Sequence, residues 1–245
     1  MKKEAIVPNE FYHTYNRGVE KRNIFLDDKD YIRGVHDIYE FNDENAVSNF
    51  KYRLDRLSQT EISRDLYRDR ISIDERQKQR KILVDLMCWC LMPNHYHFFS
   101  RSKIKDGLSK FHQKFGIGFT GYINLKYKRN GVLFQGKYKR VRVINDSQAS
   151  HLVCYIHSNP LELWKPDWKE KKLTALELQN ALKFLEKYRW SSHLDYLGIK
   201  NFPSLISTEF LLKFFKGPEN YKKFFIDWLK QYEENIPFIQ KIIIQ

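Results

Sequence analysis

Two apolar runs separated by a turn dominate the middle of the chain. Ile82 to Leu91 carries a single charged residue, Asp85, and His95 to Ser100 follows directly after Pro93-Asn94. Runs of this length bounded by turn residues predict two short strands, the first largely buried. Phe11–Asn16 predicts an earlier strand, and Asp28–Phe41 a helix. Leu108–Tyr127 reads as a long helix despite glycines at 116, 118 and 121, and 131–142 as a turn followed by a strand. From Ser147 the pattern is helical again, with Asp146 or Ser147 as its cap and Pro160 as its stop. The order β-α-β-β-α-β-α predicts an α+β fold, an antiparallel sheet flanked by helices.

Two stretches fall outside that pattern. Residues 43–81 mix charges of both signs with few apolar positions. They predict a solvated polar insertion, with a helical arm that touches DNA as the alternative. Beyond residue 200, Phe210-Leu211, Phe214-Phe215, Tyr221, Phe224-Phe225 and Trp228-Leu229 recur at helical spacing. That spacing predicts two helices docked on the domain or on a second subunit. The chain thus divides into a domain over 1–200 and a helical C-terminal extension over 201–245.

Charge narrows the class of partner. The chain holds 43 Lys and Arg against 30 Asp and Glu, a net charge of +13. Nearly all of that excess lies between 101 and 145, where twelve basic residues face one acid, Asp106. Aromatics alternate with them: Phe111, Phe115, Phe119, Tyr122, Tyr127, Phe134 and Tyr138. Cations neutralise phosphates and aromatic faces stack on unpaired bases, which points to nucleic acid. The candidate contacts are Lys126, Lys128, Arg129, Lys137, Lys139, Arg140 and Arg142. The plainer alternative is a basic face over an ordinary aromatic core. Three cysteines do not form an extracellular disulfide framework, and Cys88-x-Cys90 lacks the looped spacing of a structural zinc site. No apolar run nears the ~20 residues of a membrane span and the N-terminus has no signal-like core, so a cytosolic (bacterial cytosol or nucleoid) protein is expected.

The candidate chemistry rests on two pairs. His95 and His97 are two apart on a strand and project from one side. Two imidazoles on a rigid element can hold a divalent metal and leave room for a third ligand and a substrate oxygen. Taken alone, such a pair is as readily two half-buried histidines bonded to backbone. Tyr155 and Asn159, four apart on a helix, share a face and present a phenol and an amide oxygen to one point. A helical tyrosine by itself is more often a packing residue. Together the four have a chemical purpose: a metal on His95 and His97 polarises a phosphodiester, and Tyr155 attacks phosphorus.

The motifs MPNHYHFF (92–99), LFQGKYK (133–139), YIHSNP (155–160) and YRWSSHLDYLG (188–198), with the opening segment 11–31, resemble the single-tyrosine HUH transposases. The most similar branch is that of the bacterial transposases associated with repetitive extragenic palindromes. The resemblance spans about residues 9 to 200 with the motifs in order, and the 43–81 insertion departs from it. It implies a ferredoxin-like HUH fold with the histidine pair on a central strand and Tyr155 on a facing helix. It also implies that Tyr155 forms a 5′-phosphotyrosine and releases a 3′-hydroxyl, with His95 and His97 as metal ligands. Asn159 stands where related transposases carry a glutamine as third ligand, one methylene longer. The implied cofactor is Mg²⁺ or Mn²⁺, the implied partner single-stranded or hairpin DNA, and a homodimer is compatible with both. Two other readings stay open: a nucleic-acid-binding module without catalysis, and a metal-dependent phosphodiesterase that uses water.

Overall fold

Strand β1 (Phe11–Arg17) leads into helix α1 (Asp28–Glu40), and the hairpin β2 (Val84–Met92) and β3 (His95–Ser102) follows the insertion. Helix α2 (Gly107–Lys126) then connects to β4 (Lys139–Val143) and to α3 (Asp146–Ser158). The computed structural model describes residues 5–45, 80–207 and 209–242, so most of the 43–81 insertion lies outside the described residues. The two ends of that insertion meet, with the Glu44 N–H donating to the Lys81 carbonyl at 2.8 Å. The strands lie in the order β2-β3-β1-β4 and every neighbouring pair is antiparallel. With α1 between β1 and β2 and α2 between β3 and β4, this is the ferredoxin-like β-α-β-β-α-β arrangement expected from the sequence.

Local chemistry accounts for the elements. Asp27 caps α1 by accepting from the Asp30 N–H at 3.0 Å, and the Asp30 carboxylate reaches back to the Asp27 N–H at 3.3 Å. This reciprocal box satisfies two amide donors that the first helical turn would otherwise strand. The Pro93-Asn94 turn is clamped by the β1–α1 loop, whose Ile24 and Phe25 amides both donate to the Pro93 carbonyl at 2.7 and 3.0 Å. In α2, Gly118 is a close-approach site, since a Cβ there would stand 2.3 Å from the Phe41 ring; Gly116 and Gly121 face open space.

Side-chain alternation splits the core between the two faces of the sheet. Tyr12, Trp89, Leu91, Tyr96 and Phe98 pack with Val35, Ile38, Phe111, Phe115 and Phe119 of α1 and α2. The three phenylalanines recur every four residues and are fully buried, so they are core residues and do not stack on bases as the sequence reading allowed. On the other face Cys88, Cys90, Phe99 and Val143 meet Leu152, Val153 and Ile156 of α3.

After α3 come a single turn α4 (Leu161–Trp164), α5 (Ala175–Lys187) and a second turn α6 (His193–Tyr196). The 188–198 motif covers the edge of β2: the Leu91 amide donates to the Trp190 carbonyl and the Ser192 amide to the Trp89 carbonyl, at 2.9 and 3.0 Å. Among the described residues of the C-terminal segment there are three α-helices, not two: α7 (Glu209–Phe215), α8 (Pro218–Lys230) and α9 (Tyr232–Ile242). Helices α8 and α9 pack on α3 and α7 packs on α8, and Phe215, Tyr221, Phe225, Trp228 and Leu229 join the core beneath α3. The Tyr221 hydroxyl lies 2.6 Å from His157 Nδ1 and 2.8 Å from His193 Nδ1, which ties α8 to α3 and α6.

Candidate active site

Strand alternation does the first part of the positioning. β3 turns His95, His97 and Phe99 towards α3, and β1 turns Phe11, His13 and Tyr15 the same way. The register sets Tyr15 opposite His97 and Arg17 opposite His95. His13 is opposite Phe99 and reaches diagonally, placing its Nε2 2.9 Å from His97 Nδ1. The His95 and His97 rings are 5.0 Å apart and perpendicular, while His13 stacks on His97 at 5.2 Å.

Helix α3 brings the second pair. Its cap is Asn145, whose side chain accepts from the Gln148 N–H at 2.9 Å; Asp146 and Ser147, the residues expected from sequence, sit in the first turn. The Tyr155 ring meets His97 edge-on at 5.5 Å and His13 at 6.3 Å. Asn159 ends the helix but keeps helical dihedrals, φ −51° and ψ −41°, so the one-turn relation to Tyr155 survives. Its Nδ2 donates to the Tyr155 carbonyl at 2.7 Å, and the same side chain hydrogen-bonds the His95 imidazole and the Tyr155 phenol. His95, His97, Tyr155 and Asn159 are all buried on this one face.

Burial governs their protonation. Desolvation pushes the His95 imidazole down to about 4, against the opposing pull of the Glu162 carboxylate. Desolvation holds His97 well below its ordinary value, and the other two imidazoles add to the effect. Both rings are therefore neutral at neutral pH, the form that ligates metals. The Tyr155 phenol is raised by burial first and by the negative charge of Glu162 next, so it carries its proton in the free protein.

The donor chemistry suits a divalent cation. His95 Nδ1 donates to the Asn94 amide oxygen at 2.5 Å, and His97 Nδ1 is engaged by His13. With Nδ1 as the protonated nitrogen of both rings, each would keep Nε2 as its donor, the arrangement that orients metal-ligating histidines. The Asn159 amide oxygen supplies a third donor by type. Among the described residues no group of three His, Cys, Asp or Glu side chains is placed to enclose an ion. The set is an open one, of two imidazoles and an amide.

Several neighbours had no signature in the sequence reading. His13 is one, although its alternation with Tyr15 on β1 is the signal that would have found it. Arg17, exposed at the end of β1, and Lys169 both act on His95 and His97 with positive charge. Lys169 Nζ stands 5.5 Å from the centre of the Tyr155 ring and is ion-paired with Glu162. These last two come from α4 and the loop after it, where no spacing rule connects them to Tyr155. His157 points away from Tyr155, towards Tyr221 and Ser192. Cys88 and Cys90 are buried and unbridged.

The basic segment does not form one surface. Lys126 is paired with Asp27 and with the buried Asp30, at 2.7 and 2.6 Å. Arg142 pairs with Glu10 at 2.9 Å. On β4, Lys139 is opposite Tyr15 with its Nζ 5.9 Å from that ring, on the histidine face, while Arg140 and Arg142 alternate with it. Lys128, Lys137 and Lys139 are exposed and Arg129 partly so. The aromatics between them are committed elsewhere: Tyr122 and Tyr127 donate to Asp30, and Tyr138 stacks on His112 at 3.9 Å.

No helix among the described residues is long and apolar enough to cross a membrane. No protein-family model matches the chain, and no curated protein matches it. Among solved structures it is similar to a REP-associated tyrosine transposase bound to a REP hairpin, at 14% identity and a TM-score of 0.46, over 84% of this chain and 90% of that one. So distant a likeness carries no functional weight, and the geometry of the site has to carry it.

Proposed function

We propose that this protein cleaves and rejoins single-stranded or hairpin DNA, as a transposase does, through a covalent bond between Tyr155 and a 5′ phosphate. The observation behind this reading is the meeting of one buried phenol with two neutral imidazoles whose Nδ1 atoms are both engaged. Unlike the His157–His193–Tyr221 cluster, which joins three helices, these rings leave an amide oxygen and two imidazoles around a single phenol.

In the reaction the Tyr155 Oη–phosphorus bond forms as the bond from phosphorus to the 3′ oxygen breaks, leaving a free 3′-hydroxyl. The phenol gives up its proton and the departing oxygen gains one; attack by that hydroxyl on the phosphotyrosine reverses both changes and rejoins the strand. His95, His97 and the Asn159 oxygen would hold the cation, and their type suits Mn²⁺ better than the strongly oxygen-seeking Mg²⁺. When bound, that ion polarises the phosphodiester and makes phosphorus the better electrophile. Around it the protein supplies rigidity: β3 and β1 fix the imidazoles, and the α3 turn from Tyr155 to Asn159 fixes the nucleophile. Lys128, Arg129, Lys137 and Lys139 offer charge to the phosphate backbone, with Lys139 on the histidine face.

The test is a trap for the covalent intermediate. The protein is incubated with single-stranded hairpin oligonucleotides and Mn²⁺, and denaturing gels are read for a protein–DNA adduct. The wild-type chain should form one; Tyr155→Phe should form none while binding the same DNA within a few-fold, because the hydroxyl is not needed for backbone contacts. An adduct on Tyr155→Phe, or cleavage by the wild-type chain with no adduct, refutes the assignment.

A further inference from the structure

The Lys169–Glu162 pair stands beside the nucleophile, with the Lys169 ammonium facing the Tyr155 ring at 5.5 Å and the Trp168 ring at 5.7 Å. Glu162 lies at the start of α4, its amide donating to the Asn159 carbonyl at 3.1 Å, and Lys169 comes from the loop that follows. The ammonium is brought over the Tyr155 ring at 5.5 Å, with its side chain only 26% exposed. The loop is fixed on both sides. Trp168 is 1% exposed and packs on Tyr232 of α9 at 4.7 Å, and Lys165 pairs with Glu177 of α5 at 2.5 Å. A half-buried lysine loses side-chain freedom and hydration, and one ion pair of this exposure recovers little of either. The phenol beneath is neutral in the free protein, so the cation has no anion there to neutralise except Glu162. A phosphate diester brought to Tyr155 would be that anion.

Building on the function proposed above, we infer that Lys169 is a catalytic cation of this site. Its ammonium contacts a non-bridging oxygen of the phosphate that Tyr155 attacks, and Glu162 holds it in place until that phosphate arrives. Lys169 keeps its proton throughout; it neutralises charge that builds on the phosphoryl oxygens while the Tyr155 Oη–phosphorus bond forms and the bond to the 3′ oxygen breaks. This also gives the C-terminal helices a role, since Tyr232 of α9 is part of what sets the loop carrying Lys169.

The test uses the full chain and a pool of single-stranded hairpin oligonucleotides with randomised flanks, from which the adduct identifies a cleaved linkage. Single-turnover adduct formation is then measured for the wild-type chain, Lys169→Met and Lys169→Arg, on that linkage as phosphate and as uncharged methylphosphonate. On phosphate, Lys169→Met should be slower by about 100-fold, the loss typical of removing one group that stabilises transition-state charge. Its Kd for the DNA should stay within about threefold, and Lys169→Arg should restore most of the rate. On methylphosphonate, with no charge to neutralise, the gap between wild type and Lys169→Met should close to about threefold or less. Equal rates on phosphate, or the same gap on both linkages, overturn the role of Lys169 and leave Tyr155 standing. Failure of the wild-type chain to form any adduct overturns the functional reading, and this inference with it.

Discussion

Replacing His13 by phenylalanine tests whether the histidine pair is a built ligand set or a packing accident. His13 is fully buried, stacks on His97 at 5.2 Å and places its Nε2 2.9 Å from His97 Nδ1. For His97 to offer Nε2 to a cation, its Nδ1 must carry the proton and donate, so His13 Nε2 accepts and His13 Nδ1 holds the other proton. Phenylalanine keeps the ring against Tyr15 and Tyr155 but strands the His97 N–H. A buried donor left without its partner costs about 1–3 kcal/mol. For a chain of this size, each kcal/mol lowers Tm by about 2–4 °C, so calorimetry should show a fall of roughly 2–12 °C. Loss of the group that orients a ligand should also weaken Mn²⁺ binding by about 10- to 100-fold, read by electron paramagnetic resonance titration. His13→Gln, whose amide oxygen can accept where Nε2 did, should recover much of both. Mn²⁺ affinity unchanged in His13→Phe would show that His97 does not depend on His13 and would sink the ligand assignment.

Two further outcomes follow from charge and burial. Binding to single-stranded DNA should weaken with salt; four phosphate contacts among Lys128, Arg129, Lys137 and Lys139 give a slope of log K against log salt near −3, at ~0.7 per contact. Charge reversal at Lys128, Lys137 and Lys139 should flatten that slope in anisotropy titrations. Lys126→Ala should leave the slope alone and lower stability, because it removes the partner of the buried Asp30; a Lys126 effect on the slope equal to the others would contradict that division. Acid should also unfold the protein early. Burial lowers His112 and His193 to about 3 and holds His157 well below its ordinary value. The unfolded chain therefore binds protons below about pH 6.5 that the folded chain refuses, and stability falls as pH falls, by up to about 1.4 kcal/mol per pH unit for each group. Asp37 and Asp195, raised by burial, act in the opposite sense but are fewer. Urea midpoints that do not move between pH 7 and pH 5 would rule the effect out.

The sequence by itself determined the order of elements and the two pairs of candidate site residues, while the packing of α3 on the sheet brought the pairs together. Both follow from local rules: a two-residue period on β3 puts His95 and His97 on one side, and a four-residue step on α3 stacks Asn159 under Tyr155. Turn residues and an apolar run likewise mark the β2–β3 hairpin without reference to its partner strands. Only the tertiary structure decided which aromatics are core. The four-residue recurrence of Phe111, Phe115 and Phe119 reads the same whether that helix face meets a sheet or a base. It also decided the fate of individual charges, because Lys126 finds Asp27 and Asp30 from nearly a hundred residues earlier and no local pattern records that pairing. His13 and Lys169 entered the site for the same reason. One arrives by a diagonal contact between strands 84 positions apart, the other through a loop held by Trp168 against a C-terminal helix. Spacing rules reach about one helical turn or one strand, whereas a buried site gathers its remaining groups across the whole sheet.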